Sequence, residues 1–229
     1  MEPLFDNILE FEVSGPLALF TNPITMTSGE LSSYQVPTYS ALQGIADNIY
    51  WKPTIMWNPL EVRIMNRICM EPKSKLLPKY LTSGTDRAYN VYLDDVRYQV
   101  RVEMLWSNDE AYAKDRNVKK HMDSANRWTK RGGKSSVYLG KADCIADVKP
   151  CKFGEGVSYY DNIDISFGLM LHGQTWPNAG YDEVTKTHIV TRMFYCEMTN
   201  GIITFPAPKD CPVQRVIREE NPVWVPAKY

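Results

Sequence analysis

From Asp94 to Trp106 apolar side chains return at every second position: Val96, Tyr98, Val100, Val102 and Met104. A period of two places all five on one face of a strand. The same alternation occurs near the start, where Leu9, Phe11 and Val13 share a face within Ile8–Val13. Val62, Ile64 and Ile68 suggest another strand, and Ser136–Val148 reads as a further one. Two segments follow the helical period instead. Leu42, Ile45, Ala46 and Ile49 recur at helical spacing after Ser40-Ala41-Leu42-Gln43, a capping-box pattern. That helix stops at Trp51-Lys52-Pro53, because proline disfavours helix in the residue before it. A second helix is expected from Ala111 to Arg131, closed by Gly132-Gly133.

The order β-α-β-β-α-β is the ferredoxin-like arrangement. RNA-recognition domains share it, although a fold does not by itself confer a function. Beyond Pro150 no helical stretch stands out. Ile165–His172, Ile189–Met198 and Ile202–Phe205 read as strands, with Asn200-Gly201 a two-residue hairpin signal between the last two. The expected fold class is α+β: a ferredoxin-like domain over residues 1–150, then an antiparallel β extension over 151–229.

Hydrophobic residues make up 44% and charged residues 23%, the balance of a folded chain rather than a disordered one. Met1–Phe11 is acidic and lacks the basic start of a secretory signal. No apolar run nears the ~18 residues that span a bilayer. A cytoplasmic protein with no membrane partner is expected. The five cysteines contain no C-x-x-C pair, so buried free thiols are expected rather than a disulfide framework or zinc ribbon.

Net charge is −1, yet it is unevenly spread. Lys114–Lys141 holds nine basic and two acidic residues, a net +7 that leaves −8 elsewhere. One basic zone on an acidic body points to a polyanion, while an ordinary solvated face is the alternative. Such a face attracts any phosphate backbone, so a protein that weakly binds DNA, or cuts it, stays open as a third reading beside RNA.

Phosphate-binding glycine loops and a nucleophile elbow are missing, and no cofactor is expected. His121, His172 and His188 lack metal-ligand spacing, and the acidic pairs Asp94-Asp95 and Glu219-Glu220 point to different sides of a strand. No metal site is expected. At 100° per residue from Val118, Met122, Ala125 and Trp128 form the buried stripe of the second helix. Arg116, Lys120, Arg127 and Arg131 fall on the basic face, about 160° to 220° away. His121 lies at the stripe's edge. It suits either a half-sheltered histidine that reaches a phosphate or a core-edge histidine bonded to a backbone carbonyl. Tyr50 flanks the stripe of the first helix, either as an interface tyrosine or with its hydroxyl directed outward.

Two helices on one sheet face would let Tyr50, Lys120 and His121 converge. Such a set fits RNA cleavage without metal. One group takes the proton of a ribose 2′-hydroxyl, that oxygen attacks the adjacent phosphorus, a second group protonates the leaving 5′-oxygen, and a cation steadies the phosphorane. DNA lacks the 2′-hydroxyl and is not cut by this route.

The chain resembles the CRISPR-associated Cas five family, in the variant of subtype I-C systems. The resemblance is carried by Ala18-Leu19-Phe20-Thr21, Tyr34–Tyr39, Gly44–Pro53, Asp115-Arg116-Asn117, Lys120-His121, Gly132-Gly133, Tyr138-Leu139-Gly140, Met170–Gly173 and Phe205–Pro212. One departure is Met122, where the family pattern has tyrosine. The resemblance implies an endoribonuclease that cuts precursor CRISPR RNA near the base of the repeat hairpin and retains the 5′ handle among the other subunits of an interference complex. It implies Tyr50, Lys120 and His121 as the catalytic set, and Arg116, Lys119, Arg127, Lys130, Arg131 and Lys134 are the expected RNA contacts. The alternative is a structural subunit that caps the guide RNA without cutting it.

Overall fold

The computed structural model describes residues 7–28, 30–79, 83–180 and 182–219. Met1–Asp6, and Glu220 of the second acidic pair, lie outside the described residues. In chain order the elements begin with β1 (Ile8–Ala18), α1 (Tyr39–Ile49), β2 (Ile55–Ile64), β3 (Met70–Pro78), β4 (Thr85–Trp106), α2 (Val118–Thr129) and β5 (Asp147–Pro150). Then come β6 (Ile165–Thr175), α3 (Glu183–Thr187), β7 (His188–Thr199), β8 (Ile202–Thr204) and β9 (Val213–Glu219).

The strands order as β5-β1-β4-β2-β8-β7-β6 in one antiparallel sheet, with β3 joined to β4 and β9 to β7. The run β5-β1-β4-β2 is the ferredoxin-like core, and β8 continues it by pairing Ile203 with Val62. Alternation works as the sequence implies. Leu9, Phe11 and Val13 of β1, and Val100, Val102 and Met104 of β4, are buried with Leu42, Ile45 and Ile49 of α1 and Met122 and Ala125 of α2. The Asn200-Gly201 turn has φ of 51° and 78°, the paired positive values a type I′ hairpin needs, and it links β7 to β8.

Several expectations shift. Helix α1 is capped by Thr38, whose hydroxyl accepts from the Ala41 amide at 3.2 Å, so Ser40 lies inside the helix rather than at its cap. The segment before α2 is not continuous helix. Glu110–Asp115 forms 3-10 turns, the chain extends at Arg116, and Asn117 then caps α2 by accepting from the Lys120 amide at 3.0 Å. Asparagine offers the backbone a better partner as a cap than as a mid-helix residue, and this splits the element. Ser136–Val148 is mostly loop. Gly140 turns the chain at φ 89°, where a Cβ would sit 2.1 Å from the Leu19 carbonyl, and only Asp147–Pro150 pairs as strand. Strand β3 went unforeseen, since it is largely exposed and has no face to pattern. Helix α3, only five residues long, was also unforeseen; Asp182 caps it. All five thiols are free; Cys144, Cys196 and Cys211 are buried, but Cys151 is half-buried and Cys69 is exposed.

Among the described residues no helix is long and apolar enough to cross a membrane.

Replacing Asn117 with alanine should cost about 1 kcal/mol in urea unfolding, the usual worth of a helix cap. His172 gives a pH prediction. Fully buried and stacked on Tyr39 at 4.0 Å, it titrates at about 3, because burial and then Arg192 penalise its charged form, against the Pro206 carbonyl that favours it. The unfolded chain takes up this proton near ~6.5. The folded protein does so only near 3, so stability falls as pH drops through that window. Urea midpoints measured from pH 7 to pH 4 should decline less for His172→Gln than for the parent protein; equal declines would exclude His172 as the cause.

Candidate functional site

The turn that ends α1 and the turn that begins α2 meet over the end of the β2–β4 pair. Tyr50 follows the last residue of α1 in an extended conformation, φ −159°. Its carbonyl accepts the Trp57 indole N–H at 2.7 Å, which ties this turn to β2. Its ring is buried, and its hydroxyl lies 2.9 Å from Nδ1 of His121. His121 is fully buried on the first turn of α2, with Trp106 of β4 edge-on at 5.9 Å.

The hydrogen bonds set the tautomer of His121. Nε2 lies 2.9 Å from the Asp115 carbonyl, which can only accept, so Nε2 carries the proton. Nδ1 is then the acceptor for the Tyr50 hydroxyl. Burial pushes the Tyr50 phenol above its ordinary range, opposed by Ser124 and Lys120, and this keeps its proton available to donate.

Asp115 is the hub of the site. One carboxylate oxygen pairs with the Lys120 ammonium; the other accepts the Thr54 hydroxyl at 2.9 Å and stands 3.4 Å from His121 Nε2. The bonds from Lys120 and then Thr54 hold its carboxyl below the usual range, and Asp115 in turn raises Lys120. Lys120 is exposed, so it is the member of the cluster that solvent or a ligand meets first.

The structure therefore brings Tyr50, Lys120 and His121 together, through Asp115. It does not leave His121 half sheltered within reach of a phosphate; of the two placements open from sequence, the one bonded to a backbone carbonyl is found. The Tyr50 hydroxyl points inward to that ring, not outward. Arg116 is not on the basic face of α2. It precedes the helix, donating to the Ser107 carbonyl at 3.0 Å and pairing with Glu110, which tethers the incoming loop. Lys119, Arg127, Lys130, Arg131 and Lys134 are exposed and make no ion pair among the described residues. Arg131 lies over the Trp128 ring at 5.4 Å.

Thr54, Trp106 and the hub role of Asp115 were not found from sequence. Asp115 counted there as a negative charge and as part of a segment that carries the resemblance, with no role of its own, and a residue joined to its partners across loops and strands leaves no periodic signal. Among the described residues no cluster of three or more His, Cys, Asp or Glu side chains is placed to hold a metal.

The Cas5d family model, described as a CRISPR-associated protein (Cas_Cas5), matches residues 8–206. The CRISPR pre-crRNA endoribonuclease Cas5d of Thermus thermophilus is 25% identical over 224 residues, covering 88% of this chain and 92% of that protein. A crystal structure of a CRISPR-associated protein superposes with TM-score 0.74 at 31% identity, covering 92% of this chain and 97% of the other. A functionally uncharacterised protein of Streptococcus mutans superposes with TM-score 0.73 at 32% identity, covering 92% and 98%. With the family match spanning most of its length, the chain belongs to the CRISPR-associated Cas5 family, of the Cas5d kind.

Proposed function

We propose that this protein is a metal-independent endoribonuclease that cuts precursor CRISPR RNA at the repeat hairpin and keeps the 5′ handle within a cytoplasmic subtype I-C interference complex. The reading rests chiefly on one observation: a tyrosine hydroxyl aimed at the unprotonated nitrogen of a buried histidine, beside a solvent-facing lysine. The activity named for the Thermus relative supports the substrate class.

In this reading RNA draws the exposed Lys120 off Asp115, and the ribose then reaches the buried hydroxyl of Tyr50. Its oxygen takes the 2′-hydroxyl proton as its own proton passes to Nδ1 of His121, while Nε2–H stays on the Asp115 carbonyl. The 2′-oxygen attacks phosphorus. Lys120 stabilises the charge of the phosphorane. The P–O5′ bond breaks, the leaving oxygen takes a proton from solvent, and a 2′,3′-cyclic phosphate and a 5′-hydroxyl result. His121 thus acts through Tyr50, as the site of proton storage. Lys119, Arg127, Lys130, Arg131 and Lys134 hold the RNA backbone, and Arg116 fixes the loop that carries Asp115.

The burial of His121 and the engagement of Lys120 favour one second reading, a structural subunit that caps the 5′ handle without cutting. Incubation of the purified protein with its own repeat RNA in EDTA separates the two: the enzyme yields a cyclic-phosphate product, and the cap binds without cutting. Under the enzymatic reading Tyr50→Phe should lower the single-turnover rate by about 10²–10⁴ while RNA affinity stays nearly constant. The same variant should lose about 1–3 kcal/mol in urea unfolding, because the buried Nδ1 loses its donor. An unchanged cleavage rate would remove Tyr50 from the chemistry.

A further inference from the structure

Beside the turn that holds Tyr50, a cavity of about 400 Å³ is lined by Asp47, Asn48, Trp51, Lys134 and Ser135. Its walls are fixed by the backbone. The Lys134 amide donates to the Ile49 carbonyl at 3.0 Å and the Ser135 amide to the Asn48 carbonyl at 3.1 Å, which docks the loop after α2 onto the end of α1. Gly133 makes that approach at φ 114°, where a Cβ would meet the Ser135 carbonyl at 2.8 Å.

Asp47 is out of place by every local rule. It sits in the last turn of α1, where the helix dipole opposes a negative charge. It is partly buried, and its carboxylate makes no ion pair or hydrogen bond among the described residues. Burial raises its carboxyl to about 6. A partly desolvated carboxylate with no protein donor can take a ligand that supplies the missing partner. The neighbours define that ligand. Trp51 is 49% exposed, so its indole is open to stack a planar ring, and Lys134 is an exposed, unpaired cation at the same wall. A carboxylate accepts from two parallel donors, and guanine presents N1–H and N2–H side by side. Adenine and cytosine set a ring-nitrogen acceptor beside their amino group, and uracil flanks its one N–H with two carbonyls.

We propose that this cavity binds one unpaired guanine of the RNA. Trp51 stacks on the base, the Asp47 carboxylate accepts from N1–H and N2–H, and Lys134 contacts its phosphate. The proposal rests on the reading of the chain as an RNA-binding protein and assigns it a base-specific subsite adjoining Tyr50.

The test uses the full chain and eight-nucleotide oligouridine RNAs carrying a single central guanine or a single central adenine. Fluorescence anisotropy should show roughly tenfold tighter binding of the guanine oligomer, as a bidentate base contact confers. Asp47→Asn should abolish that preference, and Trp51→Phe should weaken binding of both RNAs. Asp47→Asn should also melt no lower than the parent at pH 7.5, since it removes a penalised charge. Equal affinity of the parent protein for the two RNAs, binding of neither, or a guanine preference that survives in Asp47→Asn would each overturn the subsite. None of these results bears on whether the repeat RNA is cut in EDTA, so the subsite and the nuclease reading can fail separately.

Discussion

The pairing of β4 with its neighbours sets the position of nearly everything else. This 22-residue strand hydrogen-bonds to β1 along one edge and β2 along the other, and its free start carries β3. Its alternating apolar residues from Val96 to Met104 occupy the face that α1 and α2 cover, so both helices are held to one side of the sheet by burial of apolar surface. Ile55 is registered against Trp106, and the Ser107 amide donates to the Thr54 carbonyl at 2.9 Å. That register brings the loop leaving β4 beside the turn leaving α1. The loop supplies Asp115 and the turn supplies Tyr50.

Between them runs a polar chain inside an apolar core: Trp57 indole to Tyr50 carbonyl, Tyr50 hydroxyl to His121, His121 to the Asp115 carbonyl. Each buried group has a partner, the condition under which such a network fixes one geometry instead of weakening the core. The side chain of Asp115, at the outer end, is shared by Lys120 and Thr54. The interior end is therefore rigid, and the exposed end holds a cation able to exchange one anionic partner for another.

Much of the fold was legible because burial is one-sided. Val96 to Met104 alternate since one face of β4 meets helices, and Leu42 to Ile49 repeat at helical spacing since one face of α1 meets the sheet. Where neither face is buried the signal vanished, as in β3, whose residues are mostly exposed. Asn117 was legible as a residue but not as a boundary, because its capping bond competes locally with a helical pattern that runs on through Lys114 and Arg116. The basic zone was plain from charge alone, yet charge could not show that Arg116 is bound to Ser107 and Glu110 while Lys119 and Arg127 face solvent.

For the site, the sequence by itself determined which groups were available: a tyrosine near the end of one helix, a lysine and a histidine on another, and a surplus of positive charge around them. Periodicity places residues around a single helix and is blind to contacts between elements. Only the tertiary structure decided that the histidine is fully buried, that the tyrosine hydroxyl points at it, and that a loop carbonyl on Asp115 assigns its proton. Those features arise from strand register and loop length, which bring residues 71 positions apart to within 2.9 Å and which no local pattern records.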